Sequence, residues 1–256
     1  MTSATDLQLS HDGHVARITL TRPPQNFVDT ATIEQLVNML AALDEDDTCR
    51  AVVLQSGVDV FCAGADFSAA PGGGAPGDPA VFYGHAMKLF RTRKPIIAAV
   101  AGAAVGAGLG LALVADFRVS CAEARFSANF NRLGIHPGFG MSVTLPRVVG
   151  EQRAAELFFT GRRITGKEAL EIGLIDHLVP QADVSAQARE LAREIALSAP
   201  LAVETTRATL RRGLAERIAE VNQRELEVQH SQFRSEDFRE GVAAMSARRA
   251  PVFQRR

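Results

Sequence analysis

The first half of the chain alternates short apolar runs with segments of helical periodicity. Val15–Leu20 alternates apolar and polar side chains, which predicts a half-buried strand, whereas Ala51–Gln55 and Ile96–Ala101 are mostly apolar and typical of buried strands. Between the first two, apolar residues from Ile33 to Leu43 recur at helical spacing, and a further helix is expected over Ala80–Thr92. This alternation predicts repeated ββα units and an α/β fold.

From Gly138 onward the pattern becomes helical. We therefore divide the chain into an α/β core, residues 1–190, and a helical C-terminal region, residues 191–256. Residues 69–79 carry four glycines and three prolines, which predicts a mobile surface loop. The helices expected after Gly138 are Met141–Val148, Glu151–Thr160, Gly166–Ile172, Val184–Ser198, Pro200–Gly213, Leu214–Ser231 and Ser235–Arg248.

Composition narrows the class of protein. A chain of 256 residues that is 46% hydrophobic and 22% charged is long enough to bury a sizeable core. Its formal net charge of −1 argues against a protein that binds nucleic acid or a membrane surface. Three cysteines without CxxC spacing, and no signal-peptide pattern at the N-terminus, favour a reducing, cytoplasmic location.

The longest apolar stretch, Pro95–Ala115, is about the length of a membrane span. It contains four glycines and follows the pattern of a strand that turns into a helix, so we expect a buried strand and helix and no membrane span.

The same stretch carries the glycine-rich turn Ala101-Gly-Ala-Ala-Val-Gly-Ala-Gly-Leu-Gly110. Its GxGxG spacing lacks the last glycine of a dinucleotide fingerprint, and no acidic residue lies about 20 positions on. A P-loop is excluded because no GK[ST] ending is present. Small residues at a helix start instead let a ligand approach backbone N–H groups. Together with the loop Cys62–Asp66, the turn can supply two N–H groups to a thioester oxygen as it becomes an enolate.

Several segments, read together, carry a family resemblance. The chain resembles the enoyl-CoA hydratase/isomerase, or crotonase, family from about residue 12 to 253. The resemblance implies a spiral of ββα turns, a helical trimerisation region and an acyl-CoA ligand bound in a bent shape. The segments that carry it are Phe61-Cys-Ala-Gly-Ala-Asp66, Lys94-Pro-Ile-Ile-Ala-Ala-Val100, Gly106-Ala-Gly108, Ala115-Asp116, Leu133-Gly-Ile-His-Pro-Gly138, Thr160-Gly-Arg-Arg-Ile-Thr165, Ala169-Leu-Glu-Ile-Gly-Leu174 and Phe238-Arg-Glu-Gly-Val242.

The resemblance also implies a site. The family's oxyanion hole corresponds to the N–H groups of Ala65 and Ala107, although relatives usually have glycine at the second position. The loop around Cys62, Ala63 and Asp66 resembles the part that meets the adenine end of the ligand, and Gly106 opens the second loop. Coenzyme A enters as part of the substrate, and no separate cofactor or metal is expected. The expected partners are an acyl-CoA thioester and further copies of the chain, in a homotrimer or a hexamer.

Three positions depart from the family pattern. Relatives that hydrate a double bond have glutamates where this chain has Gly110 and Phe130, and a dehalogenase branch has a nucleophilic aspartate where it has Gly138. Hydration needs a base to activate water and an acid to protonate the α-carbon, and neither Gly nor Phe can do this. The sequence thus predicts weak or absent ordinary hydratase activity.

Two other residues are candidates for catalysis. Tyr83, the only tyrosine, aligns with the pocket-facing side of a helix that some relatives use for polar contacts, or it is an ordinary half-buried aromatic residue. His136 lies in the turn before Pro137. It is either a catalytic group or a capping or surface histidine. The chain is then an acyl-CoA enzyme with an unusual residue set or a non-catalytic acyl-CoA binder or carrier. A scaffolding trimer is disfavoured, since a scaffold has no use for two N–H groups aimed at one point.

Overall fold

The computed structural model describes residues 6–66 and 79–256. Most of the loop predicted over residues 69–79 lies outside these ranges. Within them the strands form two sheets, one of six strands in the order β1-β2-β3-β4-β6-β9 and one of three in the order β5-β7-β8. The strands are β1 (Leu7–Asp12), β2 (Val15–Leu20), β3 (Ala51–Ser56), β4 (Ile96–Val100), β5 (Ala103–Val105), β6 (Phe117–Ser120), β7 (Arg125–Ser127), β8 (Ile164–Thr165) and β9 (His177–Leu178).

The larger sheet begins with an antiparallel hairpin and continues in parallel. Strands β1 and β2 pair across a turn at Gly13, where φ is +58°, and every later pairing in this sheet is parallel. All five residues of β4 are buried because helices cover both faces of a central parallel strand. The pattern did not reveal β1, since only Leu7 of this edge strand is buried.

The predicted helices are confirmed to within a few residues. Asp29 caps α1 by accepting the N–H of Thr32 at 2.8 Å, and Ser235 caps α10 by accepting the N–H of Phe238 at 3.0 Å. The segment expected as one helix over Ala80–Thr92 is α2 followed by a short 3₁₀ turn, Leu89–Arg91. The helices are α1 (Thr30–Glu45), α2 (Pro79–Lys88), α3 (Ala107–Val114), α4 (Met141–Val149), α5 (Glu151–Thr160), α6 (Gly166–Glu171), α7 (Val184–Ala196), α8 (Pro200–Leu210), α9 (Leu214–Gln232) and α10 (Glu236–Ser246).

Helix α7 belongs to the core. It packs on β3, β4 and β6 through Val184, Ala188, Ala192 and Ala196, a buried row at four-residue spacing. The boundary that we drew at residue 190 from the sequence therefore falls inside a helix that lies on the sheet. The small side chains of this row let the helix approach the strands closely.

The long apolar stretch Pro95–Ala115 folds as β4, β5 and α3, the buried strand and helix that its glycines predict. None of the helices in the described ranges is long and apolar enough to cross a membrane. All three cysteines are buried and free of disulfides.

Asp116, just before β6, ties the C-terminal helices to the sheet. Its carboxylate contacts Arg207 Nε at 2.8 Å and Arg211 Nη1 at 2.7 Å, and accepts the N–H of Ile96 at 2.9 Å. Burial acts to raise the pKa of Asp116, but the two guanidinium groups and the Ile96 N–H bring that pKa below its ordinary value. The carboxylate therefore stays ionised at neutral pH and holds α8 in place.

Candidate active site

The glycine-rich turn joins β5 to α3. Gly106 takes φ +54° and ψ −120°, a conformation that favours glycine, and donates its N–H to Ser127 O at 2.9 Å. Ala107 is the first residue of α3, where an N–H has no acceptor within the helix and carries the positive end of the helix dipole. This N–H makes no hydrogen bond to a described residue.

The loop Cys62–Asp66 lies against this turn. Cys62 bridges to β5 through Cys62 N to Ala103 O and Val105 N to Cys62 O, both at 3.0 Å. A Cβ on Gly108 would lie 2.0 Å from Cys62 O, so only glycine lets the start of α3 approach the loop this closely.

The second N–H comes from Ala65. Val28 donates to Gly64 O at 2.9 Å and accepts from Asp66 N at 3.2 Å, a parallel bridge that leaves the Ala65 N–H on the opposite side. No hydrogen bond joins that N–H to any residue in the described ranges. A Cβ on Gly64 would lie 3.9 Å from Ala107 N, which measures how near the two loops are. Two unused backbone donors thus border one space.

That space is a cavity of about 380 Å³. Ala65 and Ala107 lie in its wall, and Asp66 is the only charged residue among its described lining residues. The remaining wall is mainly apolar and rich in aromatic rings, which come from Phe27, Phe82, Tyr83, Phe130 and Phe233, with aliphatic side chains from Leu133, Ile135, Val242 and Met245.

The structure brings together most of the residues predicted for the site. Ala63, Ala65, Asp66, Gly106, Ala107 and Tyr83 all line the cavity.

Cys62 lies behind the cavity wall. Its Sγ is 3.8 Å from Gly64 O, and burial raises the pKa of the thiol to about 12. A thiol with so high a pKa is not a nucleophile at neutral pH, so Cys62 acts here through packing and its backbone.

His136 lies elsewhere. The backbone N–H of His136 donates to Gln232 Oε1 at 2.6 Å, and the ring Nδ1 is 2.7 Å from Pro137 O. The residue borders a separate surface cleft with Ser142 and Phe159. His136 does not line the cavity that contains the two free N–H groups.

Tyr83 is buried in the cavity wall, with its ring edge-on to Phe82 at 5.4 Å between centroids and 72° between planes. Burial raises the pKa of the Tyr83 phenol, and the nearby Glu225 carboxylate acts in the same direction, whereas the Gln229 side-chain amide beside the phenol lowers that pKa by a smaller amount. The hydroxyl therefore stays protonated at neutral pH and can act as a hydrogen-bond donor.

Gly110 and Phe130, the positions where the resemblance expects glutamates, are both buried. Phe130 places its side chain in the cavity wall. At Gly110 a Cβ would lie 2.7 Å from ring atoms of Phe139, so that ring fills the space that a side chain at position 110 would need. Phe139 itself is fully buried at a φ of +64°, which is strained for a non-glycine residue. Nothing in the sequence pattern marks Phe139, because only the fold brings it onto α3.

Glu225 is a buried carboxylate that the sequence pattern also did not reveal. From α9 it accepts the N–H groups of Gly140 at 2.8 Å and Ser142 at 2.9 Å, together with Asn222 Nδ2 at 3.1 Å. It therefore satisfies the free donors at the start of α4 and holds the turn of residues 138–140 against α9. Glu225 does not line the cavity.

The fold and the cavity define an α/β protein with an apolar pocket and two backbone N–H groups that no described residue accepts, and the comparisons with known proteins give its family. The family model for enoyl-CoA hydratase/isomerase matches residues 10–256. A carnitinyl-CoA dehydratase of Escherichia coli O157:H7 is 36% identical over 258 residues, which cover 98% of each chain.

Solved structures agree. A carnitinyl-CoA hydratase from Mycobacterium avium superposes with a TM-score of 0.88 at 30% identity, over 99% of this chain and 100% of that one. An enoyl-CoA hydratase/isomerase from Pseudoalteromonas atlantica T6c gives a TM-score of 0.87 at 30% identity, over 98% and 100%. The chain belongs to the enoyl-CoA hydratase/isomerase family.

Proposed function

We propose that the protein binds acyl-CoA thioesters with the thioester oxygen between the N–H groups of Ala65 and Ala107, and stabilises the enolate that forms there. The observation that carries this proposal is the pair of unused backbone donors in one apolar cavity. Backbone donors in a dry site stabilise a developing oxyanion far more than they do in water.

We infer the placement of the rest of the ligand from the resemblance to the family. The loop of Cys62, Ala63 and Asp66 meets the adenine end of coenzyme A through its backbone, and the acyl group enters the aromatic part of the cavity. Coenzyme A is part of the substrate, so the reaction uses no separate cofactor. The chemistry is of the hydratase, dehydratase or isomerase type, in which the α-carbon of the thioester gains or loses a proton.

The acyl group is neutral or cationic. Phe82, Phe130 and Phe233 offer ring surfaces to an apolar chain or to a quaternary ammonium group, which aromatic faces attract. The relatives named for carnitinyl-CoA make the ammonium-bearing ester a second candidate substrate. An acyl group with a terminal carboxylate meets no basic side chain among the described lining residues and is disfavoured.

Direct binding and turnover, measured on one panel, test the proposal. We expect butyryl-CoA, crotonyl-CoA and carnitinyl-CoA to bind at least tenfold more tightly than free coenzyme A, since the thioester oxygen adds charge-stabilising hydrogen bonds and the chain buries apolar surface. Glutaryl-CoA serves as the anionic control and should bind worse than butyryl-CoA. Equal affinity for free coenzyme A and its esters would contradict the proposal. Tight binding of every ester without turnover of any would identify the alternative, a non-catalytic acyl-CoA binder.

We also propose a homotrimer, alone or paired into a hexamer, because α8 is almost unpacked in the single chain. Only Arg207 of its 11 residues is buried, and Leu201 and Leu210 are 76% and 72% exposed. A cavity of about 520 Å³, bordered by Leu210 and Phe117, lies beside this helix and away from the acyl cavity. An exposed apolar surface of this kind is typical of a protein interface.

Sedimentation velocity tests the assembly. We expect a particle of three or six times the 27.4 kDa chain mass at micromolar concentration. Leu201→Asp combined with Leu210→Asp should shift it to the monomer, whereas Leu9→Asp, a substitution of an exposed leucine on the edge strand β1, should leave it unchanged. A stable wild-type monomer would contradict the proposal.

A further inference from the structure

The hydroxyl end of Tyr83, a residue that lines the acyl cavity, meets Gly138 and Gln229. A Cβ built on Gly138 would lie 2.2 Å from Tyr83 Oη and 2.8 Å from Gln229 Nε2. We propose that the Tyr83 hydroxyl donates a hydrogen bond to an oxygen on the β-carbon of the acyl group, and that Gln229 and Gly138 position it for this task. The protein then selects β-oxygenated acyl-CoA esters, such as 3-hydroxyacyl-CoA, over esters that carry only hydrogen at that carbon. This inference rests on the proposed function.

The partners of the buried Gln229 amide decide whether the Tyr83 proton is available to a ligand. Gln229 Nε2 donates to His136 O at 2.7 Å, and it lies on the same side of Gly138 as the phenol oxygen. Gln229 Oε1 is buried and has no partner among the described residues, so the Tyr83 proton is not spent on that oxygen. The Tyr83 hydroxyl thus makes no hydrogen bond to Gln229 Oε1, the acceptor atom of the neighbouring amide.

The orientation of the Gln229 amide is fixed by its surroundings. Turning the amide over would place Oε1 against the carbonyl oxygen of His136, two acceptors face to face, and would lose the 2.7 Å bond. The side chain is fully buried, so water does not compensate for that loss. Gln229 therefore acts as a fixed donor, and Tyr83, whose side chain lines the ligand space, keeps its proton for an acceptor on the ligand.

Gly138 provides the room for this arrangement. Its φ lies outside the left-handed region, so a side chain is excluded there by space, which the end of the Tyr83 phenol and Gln229 Nε2 occupy. Ala at position 138 keeps the phenol but forces it to move. The Gly138→Ala variant therefore tests the position of the hydroxyl, whereas Tyr83→Phe tests its presence.

The selectivity follows from the cost of an unused buried donor. A saturated chain leaves the Tyr83 hydroxyl without an acceptor, at a cost of about 1–3 kcal/mol, and a β-oxygen removes that cost. A site built to hydrogen-bond a substrate oxygen discriminates more sharply than an apolar pocket does. Tyr83 is the only buried residue among the described lining residues that carries a hydroxyl, since Ser246 is exposed.

Calorimetric titration of 3-hydroxybutyryl-CoA, as each enantiomer, against butyryl-CoA tests the inference. We expect the wild-type protein to bind the better enantiomer roughly tenfold more tightly than butyryl-CoA. In Tyr83→Phe and in Gly138→Ala the ratio should fall below about twofold, with affinity for butyryl-CoA retained. Gly84→Ala, on the same helix as Tyr83 with open space around the added methyl, is the matched control and should keep the wild-type ratio. Thermal melts identify any variant that fails to fold.

The outcomes separate this inference from the function on which it rests. If the wild-type protein binds neither ester more tightly than free coenzyme A, the proposed function fails. If both esters bind but the wild-type ratio is near one, or Tyr83→Phe keeps the tenfold ratio, the inference alone is overturned. If Tyr83→Phe loses the ratio and Gly138→Ala keeps it, Tyr83 recognises the oxygen without the positioning that we assign to Gly138.

Discussion

Replacing Ala107 with proline should reduce the affinity for acyl-CoA esters to that for free coenzyme A, in a protein that still folds. Proline lacks the N–H, and its Cδ would stand where that hydrogen points, in the space assigned to the thioester oxygen. Because Ala107 is the first residue of α3, proline suits the helix at this position. Any enolate-forming turnover should fall by about 10²–10³, the usual effect of removing one oxyanion donor.

Ala107→Gly is the control for this substitution. It keeps the N–H and the helix start and removes only the methyl group, so acyl-CoA affinity should stay within about threefold of the wild type. Thermal melting and titration with butyryl-CoA and free coenzyme A give both readings on the same samples. A folded Ala107→Pro protein with unchanged affinity for butyryl-CoA would remove the two-donor arrangement from the proposal.

The main elements of the fold and the two loops of the site could be predicted because their signals are local. Buried strands such as β4 are continuous apolar runs. Gly106 and Gly108 indicate that the start of α3 approaches the Cys62 loop closely. The short strands β5 and β7 have no such signal. They consist of three residues each, and their pairing depends on segments that are distant in sequence.

What the sequence could not show is the packing behind the site. Phe139 and Gly110 lie 29 positions apart, and only the turn before α4 brings the ring onto the glycine. Gln229 and Glu225 look like ordinary polar positions of an amphipathic helix, yet both are fully buried against the turn of residues 138–140. A polar residue that faces the core is recognised only when its partners are known.

Wild-type protein should hydrate crotonyl-CoA very slowly. The two N–H groups can stabilise an enolate, but Gly110 and Phe130 offer no carboxylate to activate water or protonate the α-carbon, and Asp66 is the only carboxylate among the described lining residues. General acid–base groups typically contribute about 10²–10⁴ each, so both losses together remove most of an efficient rate. Phe130 also makes the wall apolar where water would have to be held.

Phe139 determines how glutamates can be introduced at the two positions. Glutamates at positions 110 and 130 alone would drive the new side chain on α3 into the Phe139 ring, so the pair should fold poorly and remain inactive. Adding Phe139→Gly clears that space and relieves the strained φ of +64°. The triple variant Gly110→Glu, Phe130→Glu, Phe139→Gly should then hydrate crotonyl-CoA at least 10²-fold faster than the wild type.

The matched control for the triple variant is Gly110→Gln, Phe130→Gln, Phe139→Gly. It has nearly the same shape and polarity but offers neither a base nor an acid, so it should stay at the wild-type rate while the glutamate version gains. Loss of absorbance of the enoyl thioester follows both reactions directly. If the wild-type protein reaches a kcat/KM on the order of 10⁶ M⁻¹s⁻¹ or more, the range of efficient enzymes, then other groups in the cavity supply the acid and the base. Tyr83 and Asp66, the titratable residues among the described lining residues, would then be the first to replace.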